Sequence, residues 1–210
     1  YNRALSETEV AELYELEKPK PSDQEAALET GLVAYYPFNG NANDESANEN
    51  HGEVNGATLI ADRNGGTNKA YSFDGKSNFI ETPKIKYDFK TISFWFYSDK
   101  EIERDMPQEI LIGFKGETFS HNSVYINLGD VTSGIDGETL VINTEGATLI
   151  KELISKGWHH VVFKWNGESY EIYLDGSKKN SHQKYGYTFA GTKLIRDHAV
   201  EFGRRTSIGD

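Results

Sequence analysis

The residues best suited to chemistry lie in the stretch NGNANDESANEN, which gathers Asn39, Asn41, Asn43, Asp44, Glu45, Asn48 and Asn50 into one loop. Amide and carboxylate oxygens, joined by backbone carbonyls, are what a hard cation such as Ca²⁺ coordinates. Asn41, Asn43 and Asp44 are therefore the candidate metal ligands, although the acids do not follow EF-hand spacing. A competing reading needs no ion, because Asx side chains also hydrogen-bond their own backbone in tight turns. A sugar ring needs an exposed aromatic on its C–H face and planar polar groups on its hydroxyls. Two stretches offer both: Phe119, His121, Asn122 and Tyr125 in one, and Tyr185 and Tyr187 beside His182 and Gln183 in the other. Tyrosines in a sandwich also pack at strand ends with the hydroxyl wet, which is the plainer reading of the same residues.

The catalytic signals are poor. Glu168, Glu171 and Asp175 have the wrong period for one strand face and flank tight turns, so they read as solvated hairpin acids. His159 and His160 are adjacent in a strand and point to opposite faces, which predicts one in the core and one at the surface. Serine-nucleophile elbows, phosphate-binding glycine loops and zinc-binding H-E-x-x-H helices are absent from the sequence. The expectation from the residues is that this chain is not an enzyme.

Composition narrows the partners. With 33 acidic against 22 basic residues and a net charge of −11, the chain repels nucleic-acid phosphates and anionic lipid. The short pairs Lys178-Lys179 and Arg204-Arg205 do not overturn that. No apolar run reaches the ~20 residues that cross a bilayer, and no stretch has the pattern of a secretion signal. Cysteine is absent, which excludes disulfides, thiolate metal sites and cysteine nucleophiles. Twenty Gly against five Pro, and 11 Phe and 12 Tyr against one Met, favour short strands joined by tight turns.

The elements that must hold these residues follow from periodicity. Ser6 and Glu9 form an S-x-x-E capping box, with Leu5 and Val10 as its hydrophobic staple. They open a helix from about Glu7 to Glu17 that Pro19 and Pro21 close. Its stripe of Val10, Leu13 and Tyr14 must pack on something, since about three turns are unstable alone. A polar linker follows over 21–30. From Gly31 the pattern becomes strand-like: GLVAYYPFNG reads as a strand with both faces apolar. KTISFWFYSD alternates Ile92, Phe94 and Phe96 with Ser93, Trp95 and Tyr97. NSVYINLGD, ETLVINTEG and AVEFGRRTSIGD add further strands. GWHHVVFKWNGESYEIYLDGSKK reads as a hairpin turning at Asn166-Gly167, with a second turn at Asp175-Gly176. Roughly ten such strands without alternating helices predict an all-β antiparallel sandwich.

Several of these stretches resemble the laminin-G-like branch of the concanavalin A-like superfamily. GLVAYYPFNGNANDESANENHGEVNGATL is similar to its opening, AYSFDGKSNFIETP to its second signature, KTISFWFYSD to its core strand and GWHHVVFKWNGESYEIYLDGSKK to its hairpin. The resemblance covers residues 31–210 and implies a two-sheet jelly roll with one short N-terminal helix. It also accounts for the opening YNRALSETEVAELY, which is similar to the way such domains end. Residues 1–20 then read as the tail of a preceding repeat, 21–30 as linker and 31–210 as the domain. A circularly permuted or swapped arrangement, with the helix on its own jelly roll, competes with that reading. In either case the family's closing strand is missing, which leaves a sheet edge open to association.

The resemblance also bears on the sites. Superfamily enzymes carry an E-x-D-x-E run that this chain lacks. Related jelly rolls hold one structural Ca²⁺, for which Asp44 is the best single ligand. The pentraxin-type double-calcium site is disfavoured, since Ser120-His121-Asn122 and Gly203-Arg204-Arg205-Thr206-Ser207 stand where its acidic ligands would be. The expectation is a non-catalytic recognition module of a bacterial extracellular or cell-surface protein, binding a glycan or a surface protein, with Ca²⁺ as the one cofactor. The alternative is an assembly domain of a surface layer, stalk or adhesin, reaching a neighbouring domain or chain through its helix and sheet edge.

Overall fold

A computed structural model describes residues 2–17, 30–85, 90–98, 109–115, 124–128, 139–144, 147–165, 170–179 and 199–203. One helix, α1 (Glu7–Glu17), precedes strands β1 (Glu53–Asn55), β2 (Thr58–Ile60), β3 (Ala70–Ser72), β4 (Phe79–Glu81), β5 (Thr91–Ser98), β6 (Glu109–Lys115) and β7 (Val124–Leu128). The remaining strands are β8 (Thr139–Thr144), β9 (Ala147–Leu153), β10 (Gly157–Trp165), β11 (Tyr170–Leu174), β12 (Ser177–Lys179) and β13 (Ala199–Phe202). They form a seven-stranded sheet ordered β1-β4-β13-β6-β7-β8-β9, a four-stranded sheet ordered β12-β11-β10-β5, and the β2-β3 pair. All the pairings between these strands are antiparallel.

The two larger sheets meet over Phe96, Val161, Phe163, Ile172 and Leu174 from one and Ile112 and Val200 from the other, with Val33 and Ile85 between them. This is the period-2 alternation read from the sequence. Ile92, Phe94 and Phe96 face inward, and the opposite register leaves Trp95, His160, Val162 and Tyr173 on the outer face.

That outer face is covered by α1. Leu5, Val10 and Leu13 are buried in one cluster with Val162 and Tyr173. The capping box forms reciprocally: Ser6 N–H donates to Glu9 Oε2 at 2.7 Å, and Glu9 N–H donates to Ser6 Oγ at 3.2 Å. Arg3 adds a two-pronged ion pair to Glu9 at 3.0 and 2.7 Å. The Arg3 contact, followed by the Ser6 N–H, holds the Glu9 carboxyl down at about 2.

Three sequence expectations are corrected. The stretch 32–38 is not a strand. Its backbone is stitched by side chains of the following loop, with Asn48 Nδ2 donating to Val33 O at 3.0 Å and Ser46 Oγ to the same oxygen at 3.3 Å. The β10–β11 register pairs Trp165 with Tyr170, where a two-residue turn of Asn166 and Gly167 would pair Trp165 with Glu168; the turn itself lies outside the described residues. His159 and His160 are both buried, at 7% and 1% exposure, because the helix roofs the face that His160 occupies.

The second turn stands as read, with Asp175 and Gly176 at φ 51° and 75° joining β11 to β12. A Cβ on Gly176 would lie 3.0 Å from the Tyr14 ring. Gly176→Val is therefore expected to cost about 1–3 kcal/mol, partly through φ and partly through the seat of Tyr14. Urea midpoints of the single variants and of Gly176→Val/Tyr14→Ala separate the two causes. Equal losses with and without the Tyr14 ring would show that the ring contact is irrelevant.

Candidate functional site

The Asn-rich loop is organised by Asp44, which is 4% exposed. Its Oδ1 accepts the N–H of Tyr35 at 2.8 Å and of Ser46 at 2.9 Å. Its Oδ2 accepts the N–H of Asn50 at 2.9 Å and the Asn50 amide at 3.3 Å. Burial pushes the carboxyl pKa up, but the Tyr35 N–H, then the Ser46 hydroxyl and N–H and the Asn50 N–H, outweigh it and hold the group below its ordinary range. A carboxylate offers about four lone-pair positions, and these donors fill all four. Asn41 Oδ1 likewise accepts the Asn43 N–H at 2.8 Å, closing an Asx turn. So arranged, Asp44 does not fit a Ca²⁺, whose bonds would compete with those donors. Among the described residues no group of three or more His, Asp or Glu is placed to hold a metal ion.

The same loop borders an open cleft of about 380 Å³ lined by Asn39, Gly40, Thr67, Asn68 and Lys69. Two non-glycine residues with left-handed backbones flank it, Phe38 at φ 54° and Asn68 at φ 58°. Gly40 N–H ties the halves together by donating to Asn68 O at 2.9 Å and to Phe38 O at 2.8 Å. Phe38, the residue before Asn39, packs edge-on against Tyr71 at 5.2 Å and Phe202 at 5.9 Å. Side-chain amides, a hydroxyl and an ammonium thus share one opening. Sequence reasoning picked Asn39 as part of the loop but missed Thr67, Asn68 and Lys69, which lie in a different stretch.

Of the sequence-predicted sugar ligands, Phe119, His121, Asn122, Tyr185 and Tyr187 lie outside the described residues, and Tyr125 is in β7, paired with Gly113 and Asn143. Of the hairpin acids, Glu168 lies outside the described residues, and Glu171 and Asp175 are structural ties. Glu171 Oε2 is 2.5 Å from Lys164 Nζ, and its Oε1 is 3.0 Å from Lys178 Nζ. Asp175 Oδ1 accepts the His160 N–H at 2.8 Å, and its Oδ2 lies 2.8 Å from His159 Nδ1.

The search for catalytic acids along single strands also missed a row across them. Glu81 is the direct partner of Glu53 on β1 and of Glu201 on β13, so three carboxylates share one face of the seven-stranded sheet. Direct antiparallel partners have Cβ atoms about 4.5–5.5 Å apart.

No protein-family model and no curated protein matches this sequence. Solved structures do match in shape. Domain 4 of AbnA, a GH43 extracellular arabinanase from Geobacillus stearothermophilus solved with arabinotriose, aligns over 82% of this chain and 83% of its own, with 21% identity and a TM-score of 0.54. A mutant GH54 α-L-arabinofuranosidase soaked with 4-nitrophenyl α-L-arabinofuranoside aligns over 77% of this chain and 42% of its own, with 12% identity and a TM-score of 0.50. The fold is a concanavalin A-like jelly roll. The jelly-roll expectation is borne out, while the narrower laminin-G-like assignment is not reached at these identities. The expectation that the chain is not an enzyme is corrected, because both neighbours come from glycoside hydrolases and the fold is one those proteins carry.

Proposed function

We propose that this jelly roll is a glycan-binding module of the laminin-G-like kind, working in a secreted or surface protein. The observation that carries the reading is the cleft of Asn39, Gly40, Thr67, Asn68 and Lys69, whose amides, hydroxyl and ammonium suit the hydroxyls of a sugar. Left-handed non-glycine backbones cost energy and gather at ligand sites, and Phe38 and Asn68 flank this cleft. The likeness to an arabinanase domain solved with arabinotriose adds support and directs the first ligands to arabino-oligosaccharides. That enzyme is extracellular, and among the described residues no helix is long and apolar enough to cross a membrane.

Calorimetric titration with arabinotriose and a panel of other oligosaccharides tests this. Asn39→Ala and Lys69→Ala are expected to weaken binding about tenfold each, the worth of one good polar contact, without moving the melting temperature. Tyr185→Ala and Tyr187→Ala belong in the same series, and losses confined to them would move the site to that stretch of the sequence. Chromatography of the incubated sugars reads turnover separately, with Glu81→Gln and Glu201→Gln as the variants to compare. A panel that gives no saturable binding would sink the glycan reading.

A further inference from the structure

The cleft differs from the loop beside it in what its side chains are joined to. Asn41, Asp44, Asn48 and Asn50 turn their side-chain oxygens or amides back onto the chain, each meeting a backbone group. The side chains of Asn39, Thr67, Asn68 and Lys69 make no such bond among the described residues, and all four residues are exposed. Their backbones are held instead: Gly40 N–H reaches Asn68 O at 2.9 Å, and Lys69 N–H donates to Ile60 O at 3.0 Å. Two amides, a hydroxyl and an ammonium are thus carried on a fixed backbone with their hydrogen-bonding capacity open to a ligand.

Among the five residues that line the cleft, Lys69 alone is charged. Other lysines of the chain meet acids: Lys164 and Lys178 pair with Glu171, and Lys179 lies 3.7 Å from Glu152. Among the described residues no carboxylate pairs with the Lys69 ammonium. Asp62 and the Lys69 stem flank Gly66, where a Cβ would lie 3.2 Å from Asp62 Oδ1 and 2.9 Å from Lys69 Cδ. That oxygen instead accepts the N–H of Gly66 at 2.7 Å and of Asn64 at 3.0 Å.

A neutral sugar offers the ammonium only hydroxyls. A carboxylate on the ring offers it opposite charge, and charge-assisted hydrogen bonds are roughly twice as strong as neutral ones. The two oxygens of a carboxylate also accept from amide N–H groups, which Asn39 and Asn68 supply. The net charge of −11 repels a polyanion at long range, so one cation among amides suits a saccharide with an isolated carboxylate rather than a densely charged polymer. On the footing that this cleft is the glycan site, we propose that it takes an acidic glycan, with the carboxylate of a uronic acid on Lys69 and the amides of Asn39 and Asn68 around it.

The test is calorimetric titration of the full chain with trisaccharides that carry one glucuronic or galacturonic acid. Each is run beside its methyl ester, which keeps the ring and removes the charge, and beside arabinotriose. The acids are expected to bind about tenfold more tightly than their esters at low ionic strength. That margin is expected to shrink in about 1 M salt, where charges are screened within about 3 Å. Lys69→Gln keeps a hydrogen-bonding side chain without the charge, and is expected to bring each acid down to the affinity of its ester. Acids and esters that bind equally, or an acid preference that survives Lys69→Gln, overturn the proposal and leave the cleft a site for neutral glycans. Saturable binding of arabinotriose with none of the uronates does the same. Acetate that displaces the uronates at equal concentration would reveal an anion site indifferent to sugar, and overturns it too. If no saccharide of either kind binds, the glycan reading itself falls, and this proposal with it.

Discussion

Asp44→Ala is expected to destabilise the domain by about 3 kcal/mol, which at 2–4 °C per kcal/mol lowers the melting temperature by roughly 6–12 °C. The carboxylate accepts four hydrogen bonds in a site almost sealed from water, and its removal orphans the N–H groups of Tyr35, Ser46 and Asn50 together. Those groups fix the segment 32–38, which has no strand partner among the described residues, so Val33 would lose its place in the core. Asp44→Asn separates charge from shape, because an amide offers one acceptor oxygen where the carboxylate offers two. Scanning calorimetry of both variants, each with EDTA and with millimolar Ca²⁺, also decides the metal question. A ligand that binds only the native state must raise the melting temperature. With all four acceptor positions filled by the protein, the expected shift between EDTA and Ca²⁺ is zero. A rise with Ca²⁺ in the unaltered protein that disappears in Asp44→Ala would return the ion to this loop.

Glu171→Gln is expected to cost about 3 kcal/mol near neutral pH and to flatten the acid side of the stability curve. Burial raises the Glu171 pKa, but hydrogen bonds and charge from Lys164 and Lys178, with Tyr173, bring it from 4.5 down to about 2. A folded pKa below the unfolded one means the contribution is complete above about pH 4.5 and disappears as the pH falls towards 2. A depression of that size corresponds to about 3 kcal/mol. Lys164 is itself only 7% exposed, so removing its partner leaves a cation in poorly solvated surroundings. The Tyr173 hydroxyl, pushed up to about 12 by burial and then by Glu171, donates to that carboxylate at 3.2 Å and would lose its charged acceptor. Urea unfolding at pH 7 and pH 3 is the measurement. If the unaltered protein and Glu171→Gln lose the same stability between the two pH values, the ion-pair account fails.

Both predictions concern groups whose roles the sequence shows unequally. Helix α1 was legible to its bounds, since a capping box, a staple and a proline stop are local signals and nothing distant competes with them. The alternation of β5 and β10 was equally plain, because a half-buried strand writes its inner face at every second residue. What the sequence hid was any fact about partners. GLVAYYPFNG has the composition of a strand, but its backbone groups bond to Asp44, Ser46 and Asn48 side chains, and composition does not record where a hydrogen bond goes.

The sites follow the same division. Period-2 reasoning along one strand cannot bring together Glu53, Glu81 and Glu201, which only the register of three strands aligns. Nor can it place Thr67 to Lys69 beside Asn39, or show that His160 is roofed by Tyr14. By itself, then, the sequence determined the elements, the sandwich class and the inward faces, because these rest on local periodicity and capping. Only the tertiary structure decided which polar groups meet, since contacts between residues far apart in the chain depend on register and docking, on which local pattern is silent.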